Sequence, residues 1–162
     1  MLKIIKNMGH LNHAALMALY EEGNLENAED LYPQLPRGQA LLQAEQDFYD
    51  YLRHDFFLTP NAFYAIWEED GEYRSALRLE PYKDGMLLEA LETHPQHRRK
   101  GYALRLMAAV LAGQSRVYSH VGKKNKASLG VHEKCGFRRI SEQATYIDGS
   151  VNSHCCTLLW EK

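Results

Sequence analysis

The sequence predicts an α+β fold, a mixed and mostly antiparallel sheet with flanking helices, in the order β-α-α-β-β-β-α-β-α-β-β. Two observations carry that expectation. Three strand-like runs follow one another between Ala62 and Thr93 with turn signals between them, and strands joined by tight turns pair antiparallel. Directly after them, Arg98-Arg99-Lys100-Gly101-Tyr102-Ala103 leads into Leu104, Leu106, Met107, Val110 and Leu111, an apolar stripe at helical period.

In chain order, Leu2 to Ile5 alternates enough for a first strand. His10 to Glu22 carries Leu11, Ala14, Ala15, Leu16, Leu19 and Tyr20, a helix that Gly23-Asn24 stops or bends. Pro33 and Pro36 bracket a turn, and Arg37 to Arg53 reads as a longer helix with Leu41, Leu42, Phe48, Tyr51 and Leu52 inward. After Pro60 the period changes. Ala62 to Trp67 is strand-like, Asp70-Gly71 is a tight-turn signal, and Tyr73 to Leu79 returns. Pro81 to Gly85 makes a second turn before the apolar strand Met86 to Thr93. Val117 to Val121 is a short strand, Asn125 to Cys135 a short helix, and Gly136 suits its left-handed stop. Phe137 to Ile147 and Val151 to Trp160 read as a hairpin around Asp148-Gly149.

At 162 residues the chain has the length of one domain, taken as residues 1–162. Its 45% hydrophobic and 25% charged content is that of a soluble globular protein. A net charge of −2 argues against a general nucleic-acid binder. No apolar run reaches the roughly 18 residues that span a bilayer, and Met1-Leu2-Lys3 runs into a strand with no secretory pattern. Three cysteines, with Cys155 and Cys156 adjacent, make neither a disulfide framework nor a metal site. The expected setting is the cytoplasm, without a metal, a nucleic acid or a membrane as partner.

A strand that passes through a glycine-bearing turn into a helix leaves several N–H groups without intrahelical partners, and the helix dipole adds positive charge there. Such a place binds phosphate. Gly101 frees the backbone, Ala103 keeps the next inward position small, and Arg98, Arg99 and Lys100 surround the turn with charge. It is not a P-loop, since no Lys-Ser or Lys-Thr follows, and it lacks the three glycines of the dinucleotide fingerprint.

The order of elements, with this turn after the fourth strand, resembles the GNAT superfamily of acyl-CoA-dependent N-acetyltransferases. The family's pyrophosphate motif is matched by Arg98, Gly101 and Ala103 behind Pro95. A second motif is matched by Asn125, Ser128, Glu133-Lys134 and Gly136-Phe137. The resemblance implies a GNAT-like sheet and acetyl-CoA as cosubstrate. It implies CoA contacts from Leu91, Glu92 and Thr93 on a splayed fourth strand, from Arg98 to Ala103 (Tyr102 included), and from Asn125 and Ser128. Lys123, Lys124 and Lys126 are either partners for the 3′-phosphate or a solvated loop.

The implied reaction is direct attack of an amine, most simply of a small molecule, on the thioester. It needs a base, oxyanion donors and an acid for the thiolate. Where the family usually carries Tyr, this chain has His132, an alternative acid; Tyr118 and Tyr146 are others. Glu89, Glu92 and, less directly, His120 are the candidate bases. Glu89 and Glu92 differ in parity, so a regular strand would point them to opposite faces. A non-catalytic acyl-CoA-binding module on the same fold is the competing expectation, and a homodimer is compatible with either.

Overall fold

The computed structural model describes all 162 residues. It contains β1 (Leu2–Ile5), α1 (His13–Leu31), α2 (Arg37–His54), β2 (Phe63–Glu69), β3 (Glu72–Tyr82), β4 (Gly85–Thr93), α3 (Tyr102–Leu111), β5 (Arg116–Gly122), α4 (Lys126–Lys134), β6 (Arg138–Ser141), β7 (Ala144–Thr145), β8 (Val151–Asn152) and β9 (Cys155–Glu161). Seven strands form one sheet in the order β1-β2-β3-β4-β5-β9-β6, and β7 and β8 pair separately. Every neighbouring pair is antiparallel except β4 with β5, as the mixed-sheet expectation requires.

Helices cover both faces. Leu16 and Leu19 of α1 and Leu52 of α2 pack on Tyr64, Ile66 and Ala76. On the other face Leu106, Met107, Val110 and Leu111 of α3 meet Leu77, Leu79, Leu88 and Val117, with Leu129 and Val131 of α4 beside them. Each fully buried leucine contributes about 1.5–3 kcal/mol, so both helix layers are held chiefly by these contacts.

Four expectations need correction. Gly23-Asn24 does not stop the first helix, which runs on to Leu31. Ala28 is fully buried against Ala40 and Ala44 of α2, and this close helix contact outweighs the ~1 kcal/mol cost of a mid-helix glycine. Leu42 points to solvent at 67% exposure, since two residues on from buried Ala40 the helix has turned more than half a revolution. Pro81 belongs to β3 rather than to the turn. It lies beyond Leu79, the last residue paired with β2, so no ladder bond lacks its N–H. The final hairpin is divided: β6 pairs with β9 through a bulge, and β7 and β8 form their own short ladder.

The pairing of β4 with β5 is short. It covers Met86 with Val117, Leu87 with Tyr118 and Leu88 with Ser119, and then the strands part. At the closed end Gly85 lies so near that a Cβ would stand 2.5 Å from the Arg116 carbonyl oxygen. At the open end β4 carries a bulge. Arg78 pairs with Glu89 and Ala76 with Glu92, so three steps along β4 face two along β3. Ala90 absorbs the surplus with φ +52°. A bulge bends its strand and increases the local twist, which turns the end of β4 away from β5.

Gly85→Ala is therefore expected to force the two strands apart at their closed end. The cost should be about 1–3 kcal/mol, lowering Tm in thermal unfolding by about 2–4 °C per kcal/mol.

Candidate active site

The basic turn folds as a donor-lined cradle. Pro95–His97 forms a single 3-10 turn capped by the His94 ring, which accepts from the Gln96 N–H. Buried Arg74 of β3 contacts His97 and Glu72 and pins this turn to the sheet. Arg99 and Gly101 both have positive φ, +63° and +79°, a conformation that costs glycine nothing. No side chain caps the helix start at Gly101, which leaves the N–H groups of Tyr102, Ala103 and Leu104 available to a ligand. Arg99 and Lys100 are exposed beside them. Tyr102 acts as a strut: its hydroxyl donates to Glu69 at 2.8 Å, and Glu69 also accepts from the Trp67 indole.

Arg98 is already engaged. It donates to Glu22 of α1 at 2.5 Å and stands 3.6 Å from Glu92. The Glu92 carboxylate folds back onto the Thr93 N–H at 3.1 Å, and Thr93 Oγ1 donates to Ser75. Burial raises the Glu92 pKa, while the Thr93 N–H and Arg98 act against that rise.

The bulge overturns the parity argument. Glu89 lies opposite Arg78 and Glu92 opposite Ala76. Ala76 belongs to the core under α1 and α2, and Arg78 lies over the rings of Tyr51 and Phe56 on that same face. Both glutamates therefore point to one side. The Ala90 carbonyl accepts from Tyr20 at 2.5 Å, and the Tyr64 hydroxyl adjoins that of Tyr20 at 3.5 Å. Two tyrosines thus hold the orientation of the Ala90–Leu91 peptide. Tyr20, Phe48, Tyr51, Arg78, Ala90 and Glu92 line a groove of about 550 Å³ between the helices and the bulge.

His120 lies on this face too, edge-on between the rings of Tyr146 and Tyr82 at 5.2 and 5.6 Å. Its Nε2 is buried without a partner. Burial lowers its pKa, with nearby Glu89 opposing, so its ring is neutral at pH 7. His132 lies on the opposite face, 1% exposed. Its Nδ1 stands 2.8 Å from the Ser128 carbonyl, so that nitrogen carries the proton. Nε2 then accepts from Ser119 Oγ at 2.8 Å. Burial lowers the His132 pKa. The neutral ring ties α4 to β5 at the fork, and its one proton is committed to the Ser128 carbonyl. Asn125 caps α4 by accepting from the Ser128 N–H at 3.1 Å. Lys123 pairs with Glu142 at 3.7 Å; Lys124 and Lys126 are exposed.

The structure thus joins Glu89, Glu92 and His120 on one face and sets the turn, Asn125, Ser128 and His132 apart from them. Sequence reasoning missed Tyr20, Arg78 and Glu80. Tyr20 read as one helix apolar residue among several, Arg78 lay unremarked within the expected strand Tyr73 to Leu79, and Glu80 fell between that strand and the turn expected from Pro81. Tyr20→Phe removes the donor to Ala90 and should cost about 1 kcal/mol, measurable as a drop of about 2–4 °C in Tm.

The sequence model of the acetyltransferase (GNAT) family matches residues 25–137. No curated protein matches the sequence. Among solved structures, the PaiA N-acetyltransferase of Thermoplasma acidophilum in complex with coenzyme A superposes with a TM-score of 0.63 at 13% identity, covering 100% of this chain and 99% of that one. The IAA acetyltransferase of Bacillus cereus gives 0.61 at 14% identity, over 100% and 99%. An N-acetyltransferase of Staphylococcus aureus gives 0.58 at 13% identity, over 99% and 98%. At such identities the structures speak for the fold, and the family model for membership. The chain belongs to the GNAT family of acetyltransferases.

Proposed function

We propose that residues 1–162 form one acetyl-CoA-dependent N-acetyltransferase domain that acts on the amine of a small molecule by direct attack in a ternary complex. The gap between β4 and β5 carries this reading, with the donor-lined turn beyond it and carboxylates gathered on the face under α1 and α2. The coenzyme A bound to the Thermoplasma relative is consistent with the cosubstrate.

In this reading the N–H groups of Tyr102, Ala103 and Leu104, with Arg99, Lys100 and Gly101, hold the pyrophosphate, and Arg98 exchanges Glu22 for it. Leu91, Glu92 and Thr93 have no partner on β5, so their backbone groups receive the pantetheine amides as an added strand would. Asn125 and Ser128 border the same gap from α4. When bound, acetyl-CoA supplies the activated acetyl group. Glu89, neighbour to His120, takes the ammonium proton, and Glu92 stands nearer the gap. The departing thiolate takes its proton from water, because the proton of His132 is directed at Ser128 and the Tyr118 hydroxyl donates to Asp84. Aromatic walls with Asp47 and Glu92 in the groove favour a compact cationic amine. A cytoplasmic setting completes the reading, supported by three cysteines that are all free.

Thermal-shift titration with acetyl-CoA, CoA and ADP should show the largest rise for the two CoA species, about 2.7 kcal/mol at a hundredfold excess over Kd. A thiol-release screen over alkyl, arylalkyl and diamine acceptors should then identify one class. A shift without turnover would favour a binding module, and no shift would sink the reading of the turn. Because Glu22 competes for Arg98, Glu22→Gln should tighten CoA binding by up to about fivefold, the worth of an exposed ion pair, as read by calorimetry.

A further inference from the structure

Glu80 stands on β3 two residues from Arg78, on the same face of the strand. Arg78 lies opposite Glu89, and Glu80 opposite Leu87, which makes Glu80 and Glu89 diagonal neighbours within reach of long side chains. Long side chains at such diagonal positions face one another, and burial and then Glu89 raise the Glu80 carboxyl while Arg78 and the Tyr51 hydroxyl of α2 act against the rise. Arg78 Nε donates to Glu89 at 3.1 Å. The guanidinium is stacked by Tyr51 at 5.0 Å and Phe56 at 5.6 Å. From the other packed elements, Tyr64 of β2 and Tyr20 of α1 adjoin Arg78. On β5, His120 lies near Glu89, and Lys83 of the β3–β4 turn near His120. His120 is neutral, so Arg78, paired with Glu89, is the one cation set against the two carboxyls. Two neighbouring carboxyls offset by a single cation lose their second proton only near neutrality, so that the pair exchanges there between a singly protonated and a doubly ionised form.

We propose that Glu80 is the positioning residue of the proton acceptor: it shares a proton with Glu89, and the pair takes the proton of the incoming ammonium. This rests on the transferase reading. The doubly ionised pair removes one proton from the ammonium and holds it between the two carboxyls. The freed nitrogen attacks the thioester carbon, a C–N bond forms and the C–S bond breaks. The second nitrogen proton passes through water to the thiolate, and the pair returns its own proton to solvent. Burial and the neighbouring Glu89 push the Glu80 carboxyl up to about 7, matched to accepting a proton at neutral pH.

The test is Glu80→Gln, an isosteric change, followed by the pH profile of kcat/KM for whichever screened amine releases thiol fastest. The ratio of the wild-type and variant profiles cancels the ionisation of the amine itself. The acid limb of the wild type should titrate near 7 and move down by roughly one unit or more in the variant. Glu89→Gln should lose activity while CoA affinity stays near that of the wild type. Stability supplies a readout without turnover. A carboxyl whose pKa is raised by folding loses its stabilising proton as pH rises from its ordinary 4.5 to about 7. The Tm of Glu80→Gln should therefore gain on that of the wild type across this window. An unchanged acid limb, or a Tm difference independent of pH, overturns the proposal. If the wild type releases no thiol with any amine, the transferase reading fails and the role of base with it; carbon-13 titration of the glutamate carboxyls then decides the shared proton separately.

Discussion

Between Glu89 and Glu92, β4 spends one residue more than β3 spends between Arg78 and Ala76, and Ala90 carries the excess in a left-handed conformation. For a residue with a Cβ this costs about 1–2 kcal/mol. It persists because regular pairing continues on both sides and because Tyr20 holds the Ala90 carbonyl. Two consequences meet at the same point. The end of β4 turns away from β5, which opens the gap, and the side-chain parity reverses, which puts both glutamates under α1 and α2. A regular strand would have closed the first and divided the second.

Charge is distributed across the sheet with the same economy. Cationic groups gather where α3 begins, and the carboxyls of Glu80, Glu89 and Glu92 lie on the face under α1 and α2. Arg78 offsets part of that negative charge, and the packing of its guanidinium against the adjacent rings of Tyr51 and Phe56 restrains it from swinging out to solvent. The acidic face is therefore a fixed arrangement.

Legibility in the sequence followed the range of the interactions concerned. Asp70-Gly71, the apolar period of α3 and the link from Arg98 to Ala103 are local signals, and all three appear where the chain pattern puts them. The continuation of α1 past Gly23 depends on Ala28 meeting Ala40 and Ala44 from another helix, which no local pattern carries. The bulge exists only as a mismatch between two strands, so reading β4 alone placed Glu89 and Glu92 on opposite faces. Glu80 stayed hidden because its neighbour Pro81 suggests a turn, and because its partner lies across the sheet. Of the candidate site, the basic turn was legible as one continuous segment, while the acidic face is assembled from β2, β3, β4, β5 and two helices.

If the turn holds the cosubstrate as proposed, the ion pair between Arg98 and Glu22 shapes how that binding responds to ionic strength. A free arginine that captures a phosphate gains an attraction that salt weakens, and binding then falls steeply as salt is added. Here salt weakens the pair that must be given up as well as the pair that is formed, so the two effects offset at this residue. In that reading Arg98 contributes selectivity for a phosphate over the carboxylate it replaces, with little sensitivity to the ionic composition around it, and leaves to Arg99 and Lys100 the longer-range pull on an approaching polyanion.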